Sequence, residues 1–252
     1  MIKKKDMLLT ILGFTVLLAI WEIISKSGFF NQNLFPGPSI VFNSFIESII
    51  SGELAKDLKA SAIRVVTGFF VGSMLGIILG FFTGRANFFR LTIGQIAHFL
   101  KNIPAIAFVP LAVVWFGIGE ISKVFLIAWS TIFPVWVNTH HGALQVEKHY
   151  LWIIRSLGAN RLQVLKEVIF PNAMPYILSG LRIGIAMSFI ALVASELAGA
   201  FSGIGYRISV SHLIFRVDKM LSGIVTLGFL GLFADKIYLF IVKKTFPWVL
   251  IK

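Results

Sequence analysis

Six apolar segments follow one another along the chain, separated by shorter stretches that hold most of the charged residues. A helix that crosses a bilayer needs about 20 mostly apolar residues. The segments that approach this length cover residues 8–25, 62–83, 94–116, 122–138, 175–197 and 221–242. The pattern predicts an all-α integral membrane protein with about six transmembrane helices.

The third apolar segment is the most irregular. Lys101-Asn102 interrupts it, and Pro104 and Pro110 are expected to break its helix. Pro134 predicts a second bend near the end of the fourth segment. Prolines are tolerated inside spans where neighbouring helices satisfy the freed backbone groups.

A short amphipathic stretch follows the first span. Phe35-Pro36-Gly37-Pro38-Ser39 is typical of a turn and a helix start, and apolar residues recur at helical spacing over 40–50 until Gly52. This stretch predicts a short helix at the outer surface.

Composition places the chain in the bilayer. Its 252 residues are 57% hydrophobic and 13% charged, whereas soluble domains carry about 25% charged residues. The absence of cysteine excludes disulfides and thiolate metal sites. The apolar N-terminal stretch lacks a small-residue cleavage site and is interpreted as a retained first span.

Basic residues predict the orientation. The net charge of +12 lies in short loops between apolar segments, so we interpret it as topogenic rather than as a nucleic-acid site. Cytoplasmic N- and C-termini place 14 of the 23 Lys and Arg residues inside, which is the expected bias.

A glycine repeat marks the second span. Its members recur every fourth residue and therefore share one helix face: Gly68, Gly72, Gly76, Gly80 and Gly84. Small residues at this spacing let another backbone approach closely. Intramolecular packing is one interpretation, and a sliding or homodimeric surface is the other.

The longest basic loop covers residues 148–172. Leu151, Ile154 and Leu157 predict a first short helix, which Gly158 ends. Apolar spacing over 161–169 predicts a second helix, which Pro171 is expected to stop. Such a helix–glycine–helix element could be pushed as a rigid unit by a soluble partner.

Three blocks in and after this loop form one pattern: Arg155-Ser156-Leu157-Gly158-Ala159, Val168-Ile169-Phe170-Pro171 and Gly180-Leu181-Arg182. This pattern resembles the "EAA" loop of binding-protein-dependent ABC transporter permeases. Further blocks resemble the branch that serves alkanesulfonate, taurine and nitrate, among them Phe35-Pro36-Gly37-Pro38, Trp115-Phe116-Gly117, Glu196-Leu197 and Gly203-Ile204-Gly205. One departure is clear, because Trp152 and Ile154 replace the Glu and Ala of the family pattern.

The resemblance implies a type I importer fold, with one permease domain over residues 1–252 and core family homology over about 58–242. It implies that the loop couples to an ATPase through Trp152, Arg155, Leu157, Gly158, Ala159, Arg161 and Pro171. It further implies a bacterial inner-membrane complex with a second copy of the chain, two ATPase subunits and an extracytoplasmic solute-binding protein. Bicarbonate and pyrimidine vitamin precursors are alternative solutes within the same family.

The chain itself carries no Gly-x-x-x-x-Gly-Lys-Ser/Thr motif. It is therefore expected to be non-catalytic and to bind no cofactor, with ATP and Mg²⁺ held by the partner ATPase. Its histidines show no metal-ligand spacing, so no metal site is expected. A stand-alone secondary transporter is the rival interpretation, although paired charges within the spans are few.

Aromatic residues near the predicted bends are candidates for the transport pathway: Trp115, Phe116, Trp129 and Phe133. Glu196 is a further candidate, with structural bonding to a neighbouring helix as the alternative. Glu120 and Lys123 are expected to be solvated loop charges, and Asp235 and Lys236 to mark where the sixth span becomes amphipathic.

Overall fold

The computed structural model describes residues 4–249, and all regular secondary structure within that range is helical. The first and last three residues of the predicted domain lie outside the described part. The α-helices are α1 (Lys4–Lys26), α2 (Pro38–Ile50), α3 (Glu53–Arg85), α4 (Asn87–Leu91), α5 (Ile93–Leu100), α6 (Val109–Phe116), α7 (Glu120–Leu144), α8 (Lys148–Ser156), α9 (Arg161–Val164), α10 (Phe170–Leu197), α11 (Ile204–Leu213) and α12 (Val217–Thr245).

Long apolar helices match the predicted spans. Five helical stretches of the described chain are long and apolar enough to cross a membrane: Leu8–Lys26, Glu53–Arg85, Glu120–Leu144, Arg161–Leu197 and Val217–Thr245. The pair Asn87–Leu100 and Ala105–Phe116 passes the same test but bends by 87° between its halves. Counting that pair as one broken span confirms the expected number of about six.

The third span breaks at one place rather than two. The chain bends between Leu100 and Ala105, where Lys101, Asn102 and Pro104 lie. Pro110 was expected to break the helix as well, but this was wrong because it occupies the first turn of α6. The amide that proline lacks has no helical partner at that position.

The expected stop at Pro171 was also wrong. Helical structure continues from Arg161 to Leu197, with Pro171 in the first turn of α10 and Pro175 inside it. A π-helical turn, Leu165–Ile169, ends two residues before Pro171. Its wider turn accommodates a residue that cannot donate a normal helical hydrogen bond.

The chain forms two compact units. One contains residues 1–60 and 201–228, and the other contains residues 61–200 and 229–252, so that α3 and α12 contribute to both.

In the first unit, Glu22 accepts hydrogen bonds from the Ser39 amide (3.1 Å) and the Ser39 hydroxyl (2.7 Å). These bonds attach the start of α2 to α1, where the short outer helix was predicted.

In the second unit, the glycine repeat of α3 forms a seam with α7. All five glycines of the α3 repeat face α7. A Cβ atom at Gly72 would lie 2.6 Å from the Ala128 carbonyl oxygen, and one at Gly76 would lie 2.7 Å from that of Ile132. The two backbones are therefore closer than any larger residue would allow. The structure shows intramolecular packing of this stripe.

α7 also packs on α10 across small residues. A Cβ atom at Gly180 would lie 2.8 Å from the Asn138 Cβ, and one at Gly142 would lie 3.1 Å from the Ala173 Cα. α7 is therefore enclosed by α3 and α10, and Ile127, Val135 and Trp136 are almost completely buried.

We expect Gly72→Ala to lower the free energy of unfolding by about 1–3 kcal/mol, because the added methyl group meets backbone atoms that cannot move aside. Gly231→Ala is the matched control, since a Cβ there has no atom within 4 Å. It should leave stability unchanged or raise it by less than about 1 kcal/mol. Thermal unfolding of both variants in detergent measures the difference, and equal effects would contradict the close α3–α7 approach.

Candidate functional site

The predicted coupling loop is helical on both sides of a turn, with α8 before it and α9 after it, where α9 begins the helical stretch that continues to Leu197. α8 ends at Ser156, and Gly158 turns the chain with φ +81°. The Gly158 amide donates to the Arg155 carbonyl (2.9 Å) and the Ala159 amide to the Ile154 carbonyl (3.2 Å). These bonds satisfy the carbonyl groups at the end of α8.

A capping box opens the second helix of the loop. The Asn160 side chain accepts from the Gln163 amide (2.9 Å), and the Gln163 side chain accepts from the Asn160 amide (2.8 Å). Sequence reasoning missed this feature, although a capping residue followed three positions later by Gln is a known helix-start signal. The turn between α8 and α9 is therefore held from both sides.

The inner face of the loop is anchored to the membrane helices. A buried cluster contains Val146, Leu151, Val164 and Ile169, with Phe81 of α3 and Ile154 packed against it. Phe81 also stacks on Phe170 of α10, with ring centroids 6.0 Å apart. Ile154, which replaces the Ala of the family pattern, thus contributes to this attachment.

The outer face of the loop is apolar and exposed. Trp152 is 66% exposed, Leu157 81% and Leu162 72%. Trp152 stands where the family pattern has Glu, so an indole ring replaces a carboxylate on this surface. Several large exposed apolar residues on one loop are typical of a protein interaction site.

Three arginines lie in or beside the same loop. Arg85, Arg155 and Arg161 line a cavity of about 290 Å³, together with apolar residues of α9 and the π turn. Within residues 4–249, no carboxylate lies at ion-pair distance from Arg155 or Arg161. The loop therefore combines an apolar outer face with uncompensated cations. Pro171 lies nearby in an apolar groove of about 440 Å³ between α8 and Trp248.

The predicted pathway aromatics form one row through Phe125. Trp115 and Phe116 contact Phe125 at centroid distances of 6.3 and 5.2 Å, and Phe125 contacts Trp129 at 6.0 Å. Trp129 in turn contacts Phe133 at 5.2 Å. Phe125 was missed, although residues 125, 129 and 133 share the i, i+4 spacing that places them on one face of α7.

Only part of this row lines a cavity. Trp129 and Phe133 line a cavity of about 480 Å³ at the bend of the third span, whereas Trp115 and Phe116 are not among its lining residues. The cavity also reaches Lys101 and Pro104 on the bend and Ala194 on α10.

Glu196 lies in a buried ion-pair network. Its carboxylate accepts from the Arg64 guanidinium (2.8 Å) and the Ser61 hydroxyl (2.8 Å), and its side chain is 0% exposed. Arg64 also donates to both carboxylate oxygens of Glu120 at 2.6 Å. These bonds connect α10 to α3, which is the structural role named for Glu196, and the pathway role stays a prediction.

The expectation of a solvated charge was wrong for Lys123, which is buried with its ammonium donating to the Gly119 carbonyl (2.9 Å). Glu120 is 64% exposed, as expected, but it also neutralises the buried Arg64. A buried arginine requires carboxylate partners because isolated charges are costly in an apolar environment. Asp235 is likewise more than a boundary marker, since it accepts two hydrogen bonds from Arg182, at 2.7 and 2.9 Å.

The first unit carries a second charged cluster. Arg207 of α11 donates to Asp57 and to Glu53, both at 2.6 Å, and the Gly203 amide donates to Asp57 (2.9 Å). Burial lowers the pKa of Arg207, but the hydrogen bonds to Glu53 and Asp57 outweigh it and raise the pKa, so the group stays charged. Nearby Phe201 and Phe215 are exposed, and Phe215 adopts a left-handed backbone conformation with φ +54°.

Comparison with known proteins identifies the class. Residues 59–247 match the family model described as binding-protein-dependent transport system inner membrane component. The chain belongs to this family. The match covers both the α3–α7 seam and the coupling loop of this permease.

Similar proteins are transport permeases. The chain is 33% identical to the putative aliphatic sulfonates transport permease of Bacillus subtilis over 92% of this chain and 84% of the relative. It is 30% identical to the taurine transport permease of Escherichia coli, over 97% of this chain and 91% of the relative. It is also 30% identical to the nitrate import permease of Synechocystis, over 93% and 88% respectively.

A solved structure shows the same fold. The permease aligns with a chain of the inward-facing MetNI methionine ABC transporter with a TM-score of 0.67 and 19% identity. The alignment covers 77% of this chain and 97% of the other. The type I importer fold expected from the sequence is thereby confirmed.

We expect Arg64→Met to lower the free energy of unfolding by about 3–5 kcal/mol, because it leaves the Glu196 carboxylate buried without a cation. Lys26→Met is the control, because it breaks an exposed pair with Glu22 and should cost less than about 1 kcal/mol. Thermal unfolding checks both values. The double variant Arg64→Met with Glu196→Leu should be more stable than Arg64→Met alone, and the opposite order would contradict the ion pair.

Proposed function

We propose that this permease is the membrane-spanning subunit of an ATP-driven importer that moves a small anionic solute into the cytoplasm. Sulfonates, taurine and nitrate are the solute class, because relatives with those names match over nearly the whole chain. The observation that supports the proposal is the loop over residues 148–172, whose turn is capped from both sides and whose exposed apolar residues suit a docking surface.

An ATPase subunit docks on this loop. Trp152, Leu157 and Leu162 supply the exposed apolar contact, and Arg155 and Arg161 supply positive charge for a complementary acidic rim. The inner face packs against Phe81, which stacks on Phe170. A displacement of the loop is therefore transmitted to α3 and α10. The full complex contains two copies of the chain and two ATPases, and the ATPases hold ATP and Mg²⁺.

A solute-binding protein docks at the outer surface, on residues 26–60 and 199–220. The exposed Phe201 and Phe215 and the Arg207 cluster are features suited to that contact. The left-handed backbone of Phe215 ends α11, because the Phe215 amide donates to the His212 carbonyl (3.1 Å) and the Arg216 amide to the Ser211 carbonyl (2.9 Å). In this arrangement both termini are cytoplasmic.

Gly158→Val tests the loop. A valine with φ near +81° is strained, so the turn between α8 and α9 changes and ATPase binding to the chain in nanodiscs weakens about tenfold or more. Gly28→Val is the matched control, because Gly28 has φ +79° and, like Gly158, no atom within 4 Å of an added Cβ. The measurement is the dissociation constant of the purified ATPase.

The outcome for the control decides the interpretation. Gly28→Val should bind the ATPase as tightly as the unchanged chain. Unaltered ATPase binding by Gly158→Val, in a protein that still elutes as a single folded species, would remove the loop from the proposed interface.

Uptake by proteoliposomes tests the function as a whole. The permease, its ATPase and the binding protein encoded beside it should accumulate a sulfonate, taurine or nitrate when ATP is supplied on the ATPase side. Uptake of only bicarbonate or a pyrimidine precursor would replace the solute class and keep the mechanism. Uptake driven by an ion gradient without the ATPase would establish the secondary-transporter alternative.

A further inference from the structure

The bend of the third span places a lysine at the junction of its two halves. α5 ends at Leu100, Lys101 follows, and helical structure resumes at Ala105 after the 87° bend. Lys101 is near the middle of the stretch that runs from Asn87 to Phe116. Lys101 is exposed at this junction, and an ionisable residue within a span is by default interpreted as functional.

Lys101 borders the cavity of about 480 Å³ described above. Its walls are mainly apolar and include Phe133, Pro104, Ala194 and the Trp129 ring. A volume of several hundred Å³ with few polar groups is typical of small-molecule sites. All the residues that line the cavity belong to the second unit.

The charge of Lys101 has no counter-ion among the described residues. No carboxylate within residues 4–249 lies at ion-pair distance from it, and neither Asp nor Glu is among the residues that line the cavity. Arg64, by contrast, meets two carboxylates. The cavity therefore offers one cation that an anionic ligand could neutralise.

One further polar side chain lines the cavity. The Ser130 hydroxyl donates to the Met187 carbonyl at 3.2 Å, which is long for a hydrogen bond between oxygens. The wall thus includes a weakly engaged hydroxyl in addition to Lys101.

We propose that this cavity is a binding site for the transported solute, and that the ligand is a small oxyanion with a short apolar tail, such as an alkanesulfonate. Lys101 binds the anionic head, and the Trp129, Phe133 and Ala194 surfaces enclose the tail. The inference rests on the proposed import of small anions. It adds a solute site within the membrane subunit itself.

Equilibrium binding of radiolabelled butane-1-sulfonate tests the site. The full chain with its ATPase subunits, in nanodiscs and without binding protein, should bind it saturably, whereas butylammonium should not compete. Lys101→Met should weaken binding about tenfold or more, because a hydrogen bond to a charged group is lost. Lys101→Arg should stay within about threefold of the unchanged chain, since the cation is retained.

Lys59→Met is the matched control. Lys59 is exposed and does not line the cavity, so its loss should leave binding unchanged. A second variant, Ala194→Leu, keeps Lys101 and fills part of the cavity. It should weaken binding of butane-1-sulfonate more than that of methanesulfonate, because only the longer tail needs the filled volume.

Absence of saturable binding, or equal affinity of Lys101→Met and the unchanged chain, would overturn the inference. Anion uptake in the complete proteoliposome system together with that result would leave the proposed function intact and reject only the membrane site. Absence of anion uptake under all conditions would instead reject the proposed function.

Discussion

The close approach of α3 and α7 is the constraint on which the rest of the second unit depends. Five glycines at four-residue spacing remove every side chain from one face of α3, so that face rests on the α7 backbone. In a bilayer, lipid tails are as apolar as the helices, so association depends on packing and hydrogen bonding rather than on a hydrophobic driving force. α10 then closes the other side of α7 through Gly142 and Gly180.

The block of α3, α7 and α10 contains both the Arg64 ion-pair network and the attachment of the coupling loop. Arg64 of α3 binds Glu120 of α7 and Glu196 of α10, so one guanidinium connects all three helices. Farther along α3, Phe81 enters the apolar cluster under the coupling loop and stacks on Phe170 of α10. A force on the exposed face of the loop therefore reaches helices that are joined again by an ion-pair network.

Sequence reasoning predicted the features that depend on local periodicity, namely the spans, the short outer helix, the glycine face and the helix–glycine–helix loop. It failed where distant residues meet. Arg64 and Glu196 are 132 positions apart, and no spacing rule could pair them or show that Arg64 also binds Glu120. The stop at Pro171 failed because a π turn compensates for proline. The cavity at Lys101 depends on an 87° bend whose direction the sequence does not encode locally.

The central claim is that the exposed face over residues 148–172 binds a separate ATPase. The most direct measurement is purification of the tagged chain from its native cells, followed by identification and quantification of the proteins that accompany it. The account predicts a P-loop ATPase in equal stoichiometry with the permease. Recovery of the chain alone, together with solute transport driven only by an ion gradient, would contradict it.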